Sequence, residues 1–369
     1  MNYNVAIVVG TRPEAIKLLP VLLEMKKSKV LSPILISTGQ HKEMLDQIFN
    51  LFDVTPDITL DVMTSGQTLA SLTSILVKKL DETIVVGNFD CLIVQGDTTT
   101  AFCAGLVAYY HQIKVAHVEA GLRTHDIYSP FPEEVNRKLI STFCNLNFAP
   151  TQKAVEALEA ENVKNIHCVG NTVIDSLLMC LNIVNEKKEQ YIQYDELTAG
   201  NEGVVLITGH RRESFGEDFI NICTAIQKLA TKYQHFCFVY PVHLNPKVQG
   251  VVKEMLSDIS NVKLIEPIPY DELVYLMSRS TIILTDSGGI QEEAPSLDIP
   301  VIVMRNRTER EEGIEAGCSV LSGTSTSGIV EAFVKIMEDT TLYETMSRVA
   351  NPYGDGKTSE RIVEILESM

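Results

Sequence analysis

Short apolar runs recur along the chain at residues 5–9, 34–37, 91–95, 114–118 and 147–149, and again at 204–207, 236–240, 262–264, 281–284 and 301–303. They are rich in Val and Ile and do not alternate with polar residues, the pattern of strands buried on both faces in a parallel sheet. Between them lie stretches with apolar residues at helical spacing, such as 14–27 and 219–233. Strand–helix alternation along the whole chain predicts doubly wound α/β domains.

The alternation breaks once. Residues 185–203 are charged and polar, with Glu186-Lys187-Lys188-Glu189 and Thr198-Ala199-Gly200-Asn201. The second domain is expected to begin shortly before this stretch, near Val169–Asn171. Asn351-Pro352-Tyr353-Gly354-Asp355-Gly356 reads as a turn-rich loop, and a last helix is expected from about Ser359 to Glu367. No internal repeat or low-complexity tract is visible. At 369 residues, two domains fit the length.

Charge narrows the partners. The formal net charge is -17, so the surface repels nucleic acid and anionic lipid, and an anionic ligand must be held by a local cluster of cations. The eight cysteines include no Cys-x-x-Cys pair, and several lie in apolar runs. They read as buried reduced thiols rather than disulfides or metal ligands, which fits a reducing compartment. The apolar run after Asn4 is too short for a signal peptide, and no stretch is long enough to span a membrane. A soluble, cytoplasmic protein is expected.

In open α/β sheets, ligands bind outside the carboxyl ends of the strands. The first strand runs into Gly10-Thr11-Arg12-Pro13-Glu14. Thr11 and Glu14 have capping-box spacing, and Pro13 suits a first helical turn. Arg12 and Lys17 add positive charge at a helix start, against the dipole preference, as expected beside a ligand phosphate. The pattern is not the dinucleotide Gly-x-Gly-x-x-Gly. Gln95-Gly96-Asp97-Thr98 follows a later strand, where Asp97 is either a helix cap or a chemical group. Glu119 ends the next strand and has no capping role. Glu133 and Glu134 begin a helix, where the dipole would explain one of them. Clustered carboxylates raise one another's pKa and can serve as acid or base near neutrality.

The second half carries the complementary charge. Its strands lead into Gly209-His210-Arg211-Arg212-Glu213, into Pro241-Val242-His243, and into Asp286-Ser287-Gly288-Gly289-Ile290-Gln291-Glu292-Glu293. Ser-Gly-Gly at a helix start lets backbone amides approach a phosphate. Glu293, one turn in, suits a ribose diol. Arg305, Arg307 and Arg310 follow the strand at 301–303. Carboxylates in one half and a phosphate cradle in the other fit an enzyme acting on a sugar linked to a nucleoside diphosphate.

These motifs resemble those of the non-hydrolysing UDP-N-acetylglucosamine 2-epimerases throughout the chain. The matching stretches include Gly10-Thr11-Arg12-Pro13-Glu14-Ala15-Ile16-Lys17, Gly39-Gln40-His41, Gly96-Asp97-Thr98-Thr99-Thr100, and His117-Val118-Glu119-Ala120-Gly121-Leu122-Arg123-Thr124. Others are Pro132-Glu133-Glu134-x-Asn136-Arg137, Gly170-Asn171-Thr172, Thr208-Gly209-His210-Arg211-Arg212-Glu213, Tyr240-Pro241-Val242-His243, residues 286–295 and residues 351–356.

The resemblance implies two Rossmann-like domains facing a deep cleft, as in the glycosyltransferase-B fold. It implies a first domain over 1–169, completed by a C-terminal helix from about 352–369, and a UDP-binding second domain over 170–351. It also implies a homodimer acting on UDP-GlcNAc and UDP-ManNAc, with no cofactor and no metal. Asp97, Glu119, Glu133, His210, Lys17 and Arg137 match catalytic positions. Arg12, Ser287, Gly288, Gly289, Glu293 and Arg310 match substrate contacts. Gln40, Glu134, Arg211, Arg212 and His243 match parts of an allosteric site found in some members, from which Glu43 and Gly66 depart. The rival readings are a hydrolysing epimerase, an epimerase of a modified UDP-sugar, a glycosyltransferase of the same fold, and a UDP-sugar sensor without activity.

Overall fold

The apolar runs become parallel strands. The computed structural model describes residues 3–40, 42–64, 66–209 and 216–369. The chain divides into two units, one built from Met1–Met179 with Tyr353–Met369, the other from Cys180–Pro352.

Unit one holds a seven-stranded sheet of β1 (Tyr3–Val9), β2 (Leu31–Ser37), β3 (Ile58–Thr59), β4 (Cys91–Gln95), β5 (Lys114–Val118), β6 (Leu146–Ala149) and β7 (Ile166–Cys168). Their order is β3-β2-β1-β4-β5-β6-β7, and every pairing is parallel. Ile7 lies opposite Leu35 on one side and Ile93 on the other, and all three are fully buried. Sheet faces without polar residues must be covered by helices on both sides. Pro33 is tolerated in β2 because β3 pairs only with Ile36 and Ser37, which leaves that part of β2 as an edge.

Unit two repeats the plan with β8 (Gly203–Thr208), β9 (Phe236–Pro241), β10 (Val262–Ile265), β11 (Ile282–Thr285), β12 (Val301–Val303) and β13 (Ser319–Leu321). Their order is β10-β9-β8-β11-β12-β13, again all parallel. Phe219, Ile226, Leu229, Phe238, Tyr240, Leu284 and Phe333 belong to its buried core.

Each sheet thus has the doubly wound order in which direction reverses beside the first strand. The reversal lies between β1 and β4 in unit one, and between β8 and β11 in unit two. The strand ends singled out from the sequence lie at or beside these two points.

The sequence reading set the domain boundary at 169/170; the packing divides the chain within the helix Thr172–Glu186. The first turns of that helix belong to unit one because Asp175 caps the C-terminal helix Thr358–Glu367, accepting from Ser359 N at 2.7 Å and Thr358 N at 3.3 Å. The polar segment after it has regular structure. It forms a short 3-10 turn, Lys188–Tyr191, and a helix, Ile192–Thr198. Tyr191 anchors it, stacking on Tyr275 at 5.0 Å and donating to Asp271 at 2.8 Å.

All eight cysteines are free thiols and six of them are buried, Cys168 being the exposed one. Among the described residues, no helix is long and apolar enough to cross a membrane, and no group of His, Cys, Asp and Glu is arranged to hold a metal ion.

Candidate active site

In unit one, β1 ends at Gly10 and the helix Arg12–Met25 begins with Thr11 as its N-cap and Pro13 in its first turn. Glu14 closes the predicted capping box from within. Its Oε2 accepts from Gly10 N at 3.0 Å, Thr11 N at 2.7 Å and Thr11 Oγ1 at 2.8 Å, and its Oε1 accepts from Thr98 Oγ1 at 2.6 Å. The side chain is fully buried. Burial pushes its carboxyl up to about 7, against the pull of those hydrogen bonds. The backbone amides of Gly10 and Thr11, expected to attract a ligand phosphate, therefore already serve a carboxyl group of the chain's own. Gly10 has no room for a side chain, since a Cβ there would lie 2.3 Å from Thr100 Oγ1.

Lys17, one turn further on, pairs with Glu119 across 102 residues of sequence. Both are nearly buried. Gln95, at the end of β4, donates through Nε2 to the other carboxylate oxygen of Glu119, and Asn171 Nδ2 approaches Glu119 Oε1 at 3.4 Å. Lys17 therefore acts as the partner of a carboxylate rather than as a cation waiting at the helix start. Glu119 itself has φ +64°, a left-handed backbone that costs of order 1–3 kcal/mol for a residue other than glycine. Strain of this kind persists only where the surroundings enforce it, and here Lys17, Gln95 and Asn171 converge on the residue.

Asp97 follows Gly96 at the end of β4. The cap of the next helix, Thr99–Tyr110, is Thr98, whose hydroxyl accepts from Ala101 N at 3.0 Å. Asp97 is thus released from capping. Its Oδ2 accepts from Arg137 Nε at 2.7 Å and lies 2.6 Å from Arg137 NH2. Asn136 Nδ2 holds the Asp97 carbonyl at 2.8 Å. Beside them, His117 is fully buried with Nε2 2.7 Å from the Gly96 carbonyl, and burial lowers its pKa to about 4, so the ring is neutral.

Glu133 and Glu134 open the helix Glu133–Phe143 and diverge at once. Glu134 is fully buried and braces its own unit, accepting from Thr124 N at 3.0 Å, His125 N at 3.2 Å and Arg137 NH1 at 3.2 Å. Glu133 keeps one buried carboxylate oxygen, Oε2, without a hydrogen-bond partner. Unit one therefore brings Lys17, Glu119, Asp97 and Arg137 into paired arrangements, with Arg12 half-buried at the same helix start. Gln40 Oε1 accepts from Thr100 Oγ1 at 2.9 Å.

Unit two builds a different site at its own reversal. β11 leads through Asp286 to Ser287, the N-cap of the short helix Gly288–Glu293. The Ser287 amide is fixed by Thr285 Oγ1 at 2.9 Å. A Cβ at Gly288 would sit 3.1 Å from Cζ of Arg310 and 3.2 Å from its Nε, so a guanidinium lies close against the bare Cα. Arg310 is held by Glu292 Oε1 at 2.9 Å and Glu309 Oε1 at 2.7 Å, and Glu309 also pairs with Arg305 at 2.8 Å. At Gly289 a Cβ would make only ordinary contacts. Glu293 is nearly buried and accepts from Tyr270 Oη at 2.5 Å. Asn351 ties this helix to the chain's return segment, donating to the Glu292 carbonyl at 2.8 Å and to Ser296 Oγ at 2.6 Å.

His243 is exposed, with Nδ1 accepting from Asn245 N at 3.1 Å. His210, Arg211 and Arg212 lie outside the described residues. Sequence reasoning did not place Gln95, Asn171 or Tyr270 in the site. Gln95 and Asn171 stand in or beside motifs at strand and helix ends, which was the available signal; Tyr270 had none.

The family model described as UDP-N-acetylglucosamine 2-epimerase matches residues 23–367. A UDP-N-acetylglucosamine 2-epimerase of Neisseria meningitidis is 46% identical over 367 residues, covering 98% of this chain and 99% of the relative. The crystal structure of UDP-GlcNAc 2-epimerase from Neisseria meningitidis bound to UDP-GlcNAc superposes with a TM-score of 0.93 at 45% identity, covering 99% of this chain and 100% of that one. A glycosyltransferase from Rickettsia africae, 16% identical, superposes with a TM-score of 0.62 over 100% of this chain and 98% of its own, a likeness of fold alone.

Proposed function

This chain belongs to the UDP-N-acetylglucosamine 2-epimerase family and is an epimerase of that nucleotide sugar, and we propose that it interconverts UDP-GlcNAc and UDP-ManNAc by eliminating UDP and adding it back. The proton at C2 is not beside a carbonyl, so direct removal gives a poorly stabilised anion. In elimination, a base takes that proton while the C1–O bond breaks, and UDP departs with the electron pair. The product is a glycal. Return of a proton to the other face of C2, with UDP oxygen rejoining C1, gives the epimer. The sequence is redox-neutral and balances without a cofactor.

The observation that carries the reading is the set of braced carboxylates at the strand ends of unit one, Glu119 with Lys17 and Asp97 with Arg137. Proton removal and return need groups on both faces of C2, and Asp97, Glu119 and Glu133 supply them. Glu133, with its unpartnered buried oxygen, is a third acceptor. In unit two, Ser287, Gly288, Gly289 and Arg310 receive the diphosphate and stabilise the leaving group, Glu293 binds the ribose hydroxyls, and Arg12 and His210 complete the anion contacts. Glu134 works as a brace for Arg137 and the 124–125 backbone. The protein acts in the cytoplasm, in keeping with its eight free thiols.

We also infer a homodimer. Val85, Val86, Tyr109 and Tyr110 expose large apolar surfaces at the ends of the helices Leu69–Gly87 and Thr99–Tyr110, the kind of patch that marks an interface. Light scattering of Val86→Glu checks this: a monomer is expected, and an unchanged dimer contradicts this choice of face.

Proton NMR with UDP-GlcNAc in D2O tests the reaction. A stable mixture of both epimers with deuterium at C2 is expected. Free ManNAc with UDP would point instead to hydrolysis, and retention of the C2 proton would exclude elimination.

A further inference from the structure

In doubly wound domains, the helix start after the first strand is where a nucleotide phosphate binds. Unit one has the strand, the reversal and the helix, yet its amides at Gly10 and Thr11 are taken by Glu14. The same carboxylate reaches Thr98, 84 residues away, which begins the helix after β4 and directly follows Asp97. One buried side chain thus joins the two loops that flank the reversal.

We propose that Glu14 is a positioning residue for the epimerase reaction. It is a built-in acceptor that occupies the phosphate position of unit one and, through Thr98, sets the register of Asp97. This inference rests on the epimerase reading of the site and deepens it. It explains why one half of the molecule, although built on a nucleotide-binding plan, presents acid–base groups instead. With the phosphate position filled by the chain itself, the backbone cradle for the diphosphate is left to Ser287-Gly288-Gly289 of unit two, with Arg310.

The argument from geometry is specific. Glu14 makes four hydrogen bonds, all as acceptor, and three of them converge on one oxygen. That is the pattern of a phosphate oxygen in a nest of donors. Thr98 spends its only hydroxyl proton on Glu14 and accepts from Ala101 N in return. The loop carrying Asp97 is consequently held from below by Glu14 and from the side by Asn136 and Arg137. Removing the lower hold frees Thr98 and lets Asp97 drift, while the diphosphate cradle is untouched.

The test compares Glu14→Ala, Glu14→Gln and the wild type in the UDP-GlcNAc epimerisation assay, with UDP affinity and thermal melting measured alongside. For Glu14→Ala, kcat is expected to fall about 10–100-fold, the loss typical of a misplaced catalytic group. KM and UDP affinity should stay within about threefold, because Glu14 is itself not among the proposed UDP contacts. Sodium formate, which can seat a carboxylate in the vacated position, should restore part of kcat in Glu14→Ala and none in Asp97→Asn. Glu14→Gln should fall between Ala and wild type, since it keeps one acceptor but not both. Wild-type kcat in Glu14→Ala overturns the proposal. So does a folded, slowed Glu14→Ala that formate does not improve, or one whose UDP affinity falls as far as its kcat. If Glu14→Ala does not fold, Glu14→Gln decides: lower kcat at unchanged KM supports the role, and unchanged kcat refutes it. A wild-type protein that fails to epimerise in the same assay instead refutes the epimerase reading itself.

Discussion

The two units answer the same topological question in opposite ways. Both sheets reverse direction beside their first strand, at β1/β4 and at β8/β11, and both place polar residues at the ends of those strands. In unit one the strand ends carry carboxylates held by cations, Glu119 by Lys17 and Asp97 by Arg137. In unit two the corresponding position carries a cation held by carboxylates, Arg310 between Glu292 and Glu309. Topology decides where a site forms, and the few residues after each strand decide its chemistry. The contrast extends to the anion position. Unit one fills it with Glu14; in unit two Arg310 leans on the glycine of Ser287-Gly288-Gly289.

The comparison predicts that damage to one unit spares the work of the other. The largest effect is expected from Asp97→Asn or Glu119→Gln. Either should lower kcat by about 10²–10⁴-fold, the usual worth of a positioned acid or base, as steady-state assays will show. Near wild-type rates in both variants would break the assignment of proton chemistry to unit one. Next comes Arg310→Ala, which removes a charged contact worth about 1.5–3 kcal/mol and should weaken UDP binding about 10–100-fold in calorimetry. Gly288→Ala sharpens that point, because its methyl would press on Cζ of Arg310 at 3.1 Å. A smaller loss of UDP affinity with an unchanged melting temperature is expected.

Effects on stability follow. Gly10→Ala would place a Cβ 2.3 Å from Thr100 Oγ1 and 2.7 Å from Thr38 Oγ1, and should cost about 1–3 kcal/mol in urea unfolding. The last prediction concerns pH. Burial raises the Glu14 carboxyl from 4.5 to about 7, so the folded state keeps a proton that the unfolded chain has lost. The associated stability is present below about pH 4.5 and lost as pH rises through 7. Relative to Glu14→Gln, the wild type should therefore lose about 3 kcal/mol between roughly pH 4.5 and 7.5. Urea melts of the two proteins at several pH values check the sign. His117 acts oppositely. Its pKa falls from 6.5 to about 4, so its contribution is present above 6.5 and lost as pH falls through 4. The wild type alone sums these two opposing slopes with those of other shifted groups such as Asp175 and Glu161, so the comparison with Glu14→Gln is needed to isolate Glu14.

Much of this was legible before the structure. The central strands announce themselves as unbroken apolar runs, and reading the residues after each run leads directly to Glu119, Asp97 and Ser287-Gly288-Gly289. The edge strands Ile58–Thr59, Ile166–Cys168 and Ser319–Leu321 were not legible, because two or three residues at a sheet margin carry no periodicity. The polar segment after Glu186 showed its charges and hid its anchors, Tyr191 and Tyr194, which are buried and bonded to residues 80 and 78 positions away. The capping box at Thr11 and Glu14 was readable as spacing. Its second function was not, since the bond from Thr98 joins two strand ends far apart in sequence. The same holds for Lys17, which the sequence places among the catalytic positions without showing that its carboxylate partner is Glu119. Local signals place groups at strand ends; only the fold shows which of them meet.

The most direct test of the division of labour is a calorimetric titration of UDP into Glu119→Gln. The account predicts an inactive protein that binds UDP within about threefold of wild type, because Glu119 is not among the residues proposed to hold the diphosphate and ribose. A loss of UDP affinity of about tenfold or more, in a variant that melts like the wild type, would contradict it.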